Sequence, residues 1–250
     1  MTISGTLWRT LILFVILHLG ALVGIFSTVA PVFDTGLPQD VTVILWVTAL
    51  ICGGMAGTVL AIKKNIDVPL IITFTWCEGW FLGGFATYFE GIYPGIILQA
   101  AFAVLSTVVA FLPLFAIKSV RAIHSKIQIL LVILGGCFVF ILHNLTLMGF
   151  DFLPAHIPWG KGAPTVVYVP IGLMIAFLVI LMSAYVLVIT YKRIENDVYR
   201  GFPRKHAWNN AFKVMITIIW YYVEAPKAIA NTVMNKRNLF DWKPKKSQKL

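Results

Sequence analysis

The chain has 250 residues, of which 59% belong to the apolar set AVILMFWYC and 12% are charged. A soluble domain carries about 25% charged residues, and a chain this apolar could not cover its surface with polar groups. With a mean hydropathy of +0.87, the composition excludes intrinsic disorder and a disulfide-stapled secreted domain, and points to a polytopic membrane protein. The net charge of +10 does not signal nucleic acid, because the basic residues cluster at the ends of apolar runs.

Six segments reach the roughly 20 apolar residues that a spanning helix needs. In chain order they are Leu7–Val29, Val41–Ile62, Val68–Phe89, Ile96–Ile117, Ile127–Gly149 and Thr165–Tyr191. The first exceeds the core of a signal peptide and has no convincing small-residue cleavage site after it, so it reads as a retained anchor. A seventh candidate, Phe212–Val233, is weaker: its apolar run ends at Val223, where Glu224, Pro226 and Lys227 interrupt it. The expected class is therefore all-α, with six transmembrane helices and a seventh, weaker C-terminal helix. Residues 1–234 form one helix-bundle domain, and 235–250 form a basic tail.

Basic and acidic loops alternate. Lys63 and Lys64 follow the second segment, Lys118, Arg121 and Lys126 the fourth, and Lys192, Arg193, Arg200, Arg204 and Lys205 the sixth. The other connections hold Asp34 and Asp40, then Glu90, then Asp151 with Lys161. The positive-inside rule then places the N-terminus in the cytoplasm. The basic tail breaks the pattern, so the last helix either crosses against the rule or dips in and returns.

Charges within spans are costly, and an acid there needs a partner, water or a proton. Glu78, in Trp76-Cys77-Glu78-Gly79-Trp80, and Glu224, in Trp220-Tyr221-Tyr222-Val223-Glu224, meet this description. Each is a candidate proton or cation site, or else a hydrogen-bonded bundle-former. Lys227, one turn after Glu224, is placed to neutralise it. His18 and His143 read as packing residues, and Asn144 beside His143 strengthens that reading. Gly53-Gly54-x-x-Gly57, Gly83-Gly84 and Gly135-Gly136 read as close-packing sites. Cys52, Cys77 and Cys137 lack metal-ligand spacing. There is no GxSxG, HExxH or Walker pattern, so neither an enzyme nor a cofactor is expected.

Two blocks carry a family resemblance. One is Glu78-Gly79-Trp80-Phe81-Leu82-Gly83-Gly84 followed by Tyr93-Pro94-Gly95-Ile96-Ile97-Leu98-Gln99-Ala100. The other is Ile194-Glu195, Gly201-Phe202-Pro203, Trp208, Ala211-Phe212 and Thr217–Glu224. Over roughly residues 7–233 the chain resembles the bacterial branch of the Bax inhibitor-1-like (Bax inhibitor motif) family. The resemblance implies six helices around a central seventh in a bacterial plasma membrane. It also implies a pH-gated cation leak, usually discussed for calcium, controlled by two carboxylates. Glu224 matches the second carboxylate. The first is lost: Thr190 and Lys192 stand where the family has acids. One carboxylate with a threonine gives neither a shared-proton latch nor a full calcium ligand set. The expected partners are the lipid bilayer and a cation, calcium or proton. The alternative is a non-conducting protein that regulates other membrane proteins. Spacing does not show whether Glu78 or Asp197 comes near Glu224, and no metal is assigned.

Overall fold

The computed structural model describes residues 1–29, 43–63, 67–92, 95–150, 159, 165–166 and 168–240. Within these, the side chains of 29, 43, 91–92, 166 and 224–240 lie outside the description. Glu224 and Lys227 are among those side chains. The acidic-loop residues Asp34, Asp40, Asp151 and Lys161, with Lys64 and the tail from 241, are outside it altogether.

The long helices are α1 (Ile3–Val29), α2 (Val43–Ile62), α3 (Val68–Ile92), α4 (Ile97–Ala116), α6 (Ser125–Gly149), α7 (Ile171–Tyr199) and α8 (His206–Phe240); α5 (Lys118–Ala122) is a single short turn. Strands β1 (Thr165–Val166) and β2 (Val169–Pro170) form one small antiparallel pair. Among the described residues, six helices are long and apolar enough to cross a membrane: α1, α2, α3, α4, α6 and α7. The chain is an all-α polytopic membrane protein.

The largest departure from the expected boundaries is at α7. Residues from Thr165 form the β pair, and Pro170 stands at the helix N-cap. Proline has no N–H and clashes with a preceding turn, so the helix starts after it. At the other end α7 runs to Tyr199, so Lys192 and Arg193 are helical and not in a loop. Gly201, at φ +72°, then turns the chain toward α8. α8 reaches Phe240, past the start of the basic tail at Asn235.

α1 and α3 form the tightest contact. Gly20 and Gly24 of α1 face Trp76 and Trp80 of α3, and Gly79 and Gly83 of α3 face Leu17 and Ala21 of α1. A Cβ at Gly79, Gly83 or Gly24 would collide with the carbonyl oxygen of Leu17, Ala21 or Trp80 respectively. Both helices thus carry a GxxxG pair, which lets two backbones touch without lipid between them. The order of contacts makes the two helices parallel. Trp80 Nε1 donates to Ser27 Oγ at 3.0 Å near the end of the seam. α2 rests on the other side of α3 by a different device: Trp46 covers Gly84 and Phe74 covers Gly57.

α4 packs against α6 and α7, and α8 packs against α1, α3, α4 and α7. The described first half of α8 contributes Ala211, Val214, Met215 and Ile218 to the main core. Its inner position therefore comes from four helices, while α2 and α6 lie further out. Their outer faces show the lipid-facing pattern: Ile51, Met55 and Val59 on α2, and Leu130, Leu134, Phe138 and Ile141 on α6, are all exposed.

The buried threonines find partners at close range. Thr6, Thr10, Thr28, Thr75 and Thr107 each donate to the carbonyl one turn back. Glu90 receives the amides of Gly95 and Leu98, the latter at 2.8 Å, so a carboxylate closes the N-terminus of α4. Gly95 has φ +77°, which is why glycine stands in that turn.

Candidate functional site

The resemblance places a site between α7 and α8, and the structure has a cleft there. It measures about 320 Å³ and is bordered by Thr190, Arg193, Ile194 and Asp197 from α7. Asn210, Lys213, Ile216 and Thr217 of α8 close it. The α7 residues recur at i, i+3, i+4 and i+7, which is one helix face. Thr190 is half-buried at the inner limit of this cleft.

The charge of the cleft is set by Arg193 and Asp197 of α7 and by Lys213 of α8, of which the sequence reading did not single out Lys213. Lys192 does not border it: its Nζ is 2.9 Å from Glu195 on the same helix. The cations beside Thr190 are Arg193 and Lys213. The one carboxylate, Asp197, is engaged: Asn210 Nδ2 donates to it at 3.1 Å and His206 Nε2 lies 3.8 Å away. Asn210 Oδ1 in turn accepts from Lys213 at 3.5 Å. The network holds the start of α8 to the end of α7. A cation entering here meets two positive side chains and one occupied acid. The signal for Lys213 was its spacing, one turn after Asn210 and one before Thr217, on a helix read only from residue 212.

Asp197 is not a substitute partner for Glu224. It bonds to Asn210, and residue 224 is fourteen positions further along α8, which is roughly 21 Å at helical rise. Glu78 is also distant along the axis. Phe74 of α3 meets Phe212 of α8 with ring centroids 5.2 Å apart. From that shared level Glu78 is about 6 Å along α3, and the backbone of residue 224 is about 18 Å along α8.

Glu78 is buried, with 8% exposure. It sits against Gly53 of α2, where a Cβ would come within 2.9 Å of its Oε1. It makes no hydrogen bond or ion pair among the described residues. Gly53 is therefore a space left for a carboxyl, a finer role than helix packing alone. Thr190, Glu78 and His143 are not brought together. His143 Nδ1 lies 3.2 Å from Ser106 Oγ, and its ring stacks on Phe102 at 6.0 Å. Asn144 accepts from Gln99 Nε2 at 3.0 Å. These contacts tie α6 to α4, the packing role expected of His143 and Asn144. His18 bonds to the Phe14 carbonyl at 2.8 Å within its own helix. Among the described residues no group of three or more His, Cys, Asp or Glu side chains is arranged to hold a metal ion.

A bundle of apolar spans, with a GxxxG-sealed pair on one side and a polar α7–α8 cleft on the other, defines a helical integral membrane protein. The family model described as Bax inhibitor 1 like matches residues 1–230. The chain belongs to that family. No curated protein matches the chain, and no solved structure does.

Proposed function

We propose that the protein is a pH-sensitive leak for a monovalent cation or proton, non-enzymatic, in the plasma membrane of a bacterium with its N-terminus in the cytoplasm. Glu78 carries this reading: a buried carboxyl inside a span, facing a glycine and lacking a basic partner among the described residues. Structural acids in membranes pair with neighbours, and those that do not mark ion or proton paths. Glu224 is the second acid of the proposed path. Thr190 marks where the path would open between α7 and α8. The cationic lining of that cleft argues against calcium, which prefers six to eight oxygens and usually more than one carboxylate.

The same cationic lining favours a second reading, a non-conducting protein that binds and regulates other membrane proteins. Flux into liposomes holding the purified protein separates the two. Potassium, proton and calcium flux is measured across pH 5–8, with Glu78→Gln and Glu224→Gln as variants. A pH-dependent monovalent flux that falls at least several-fold in either variant supports the leak. Flux no greater than in empty liposomes, from protein shown to be folded, removes it and turns attention to binding partners.

A further inference from the structure

Two cavities lie on either side of Trp8, at the end of α1 beside the α7–α8 connection. The first, about 390 Å³, is a groove between α1 and α4, walled by Leu7, Leu11, Phe14, Leu112 and Pro113. Pro113 lies inside α4 and, lacking an N–H, leaves the Val109 carbonyl without its usual partner at the groove wall. The second, about 320 Å³, is bordered by Met1, Gly5, Arg9, Arg204 and Trp208. Trp8, itself 63% exposed, borders both.

The two differ in chemistry in a way that matches one molecule. The groove is almost wholly apolar and opens toward the lipid. The second cavity has two guanidinium-bearing residues, and no carboxylate pairs with either among the described residues. Arg9 reaches back along α1, donating to the Gly5 carbonyl at 3.0 Å, and its guanidinium stands 5.4 Å from the Trp208 ring centre. Its charge is thus carried from the apolar part of the span toward the helix end, as long basic side chains do near a membrane surface. Tryptophans at that level are typical of the bilayer interface.

We infer that this composite site binds an anionic phospholipid, its phosphate on Arg9 and Arg204 and an acyl chain in the α1–α4 groove. Planar guanidinium groups match a phosphate in two-point hydrogen bonding, and basic pockets between spanning helices select anionic headgroups. The site is separate from the α7–α8 cleft and does not depend on whether the protein conducts.

The test is native mass spectrometry of the full chain released from micelles carrying equal amounts of phosphatidylglycerol and phosphatidylcholine. The expected result is selective retention of phosphatidylglycerol. Retention falls roughly fivefold in Arg204→Gln and about thirtyfold in Arg9→Gln/Arg204→Gln. Arg204 is exposed, so its single variant keeps the test valid should the double variant unfold. Val109→Trp, which fills the groove and leaves both arginines, lowers retention as well. Inorganic phosphate at millimolar concentration does not displace the lipid if the chain is held in the groove. Equal retention of the two lipids, unchanged retention in Arg204→Gln, or full displacement by phosphate would each overturn the assignment.

Discussion

The α1–α3 seam and the α7–α8 cleft are both contacts between long helices, but they are built from opposite materials. In the seam, four glycines bring one backbone against another and leave no room for a methyl group. In the cleft, polar and charged side chains of Arg193, Lys213, Asp197 and Asn210 border about 320 Å³ of space between the two helices. A seam of the first kind has one arrangement, because nothing in it can rotate out of the way. A contact of the second kind is held by a few polar bonds and can rearrange when one of them changes.

Substitution at the seam is expected to have the largest effect. Gly79→Val/Gly83→Val places two branched side chains into the carbonyls of Leu17 and Ala21. The cost is about 3 kcal/mol or more, at or above the usual range for overpacking. It appears as lost monodisperse protein on gel filtration in detergent. A well-folded double variant would mean that the two helices slide freely, and the contrast would collapse.

At the cleft, Asp197→Ala leaves Asn210 and His206 without their acceptor. The expected loss is about 2 kcal/mol, as for hydrogen bonds to a charged group, read as a lower midpoint of thermal unfolding. Faster proteolysis between Arg200 and Lys205 should accompany it, and proteolysis unchanged there would separate Asp197 from the α7–α8 junction. Gln99→Leu cuts the bond to Asn144 and is expected to cost about 1 kcal/mol, near the measured range for hydrogen bonds between spanning helices.

Gly54→Ala is the control for the seam, since nothing lies within 4 Å of a Cβ placed there. It should leave the midpoint unchanged or raise it slightly, because alanine favours helix over glycine. The smallest effect is expected at Asp67, outside the spans. The hydrogen bond from Lys63 holds its carboxyl below the ordinary value of 3.8. A lowered folded-state value means that its contribution is complete at neutral pH and fades as the solution is acidified below that point. Asp67→Asn should therefore lower stability slightly at neutral pH, and the difference from the unsubstituted chain should vanish in acid. A change at pH 7 beyond that of a surface pair would show that the contact does more than stated.

Much of this architecture is legible in the sequence because hydrophobic length is a strong signal. The first five spans lie within four residues of their helices. The sixth departs at both ends, where Pro170 overrides an apolar run that looks continuous and the helix goes on past Tyr191 to Tyr199. The last helix is longer than its apolar run at both ends. The glycine seam was half legible. Gly83 stood out as part of a doublet, but Gly20, Gly24 and Gly79 are single glycines whose meaning lies in spacing by four. Their signal in the sequence is a GxxxG pair on each of two helices. Gln99 illustrates another limit: its position in the Tyr93–Ala100 block was noticed, but its partner Asn144 is 45 positions away, and nothing local specifies that pairing. At the cleft, Thr190 and Lys192 stand out in the sequence because they replace a two-acid pattern. Only the helix register shows that Lys192 turns to Glu195 while Arg193 borders the cleft. Glu224 and Lys227 were read from sequence alone, and their side chains lie outside the described residues.

The parallel seam has a consequence for how the protein is made. Its two halves are separated in the chain by all of α2, so α1 enters the bilayer well before the helix that fits its glycine face exists. During that interval Gly20 and Gly24 face lipid, and α1 must remain in place on the hydrophobicity of its other residues. When α3 arrives it must come in with the same polarity as α1, because the glycines of each match carbonyls of the other in one direction only. An insertion error that inverted α3 would leave α1 without its partner. The seam therefore distinguishes the two orientations of α3, and only one of them gives α1 a partner.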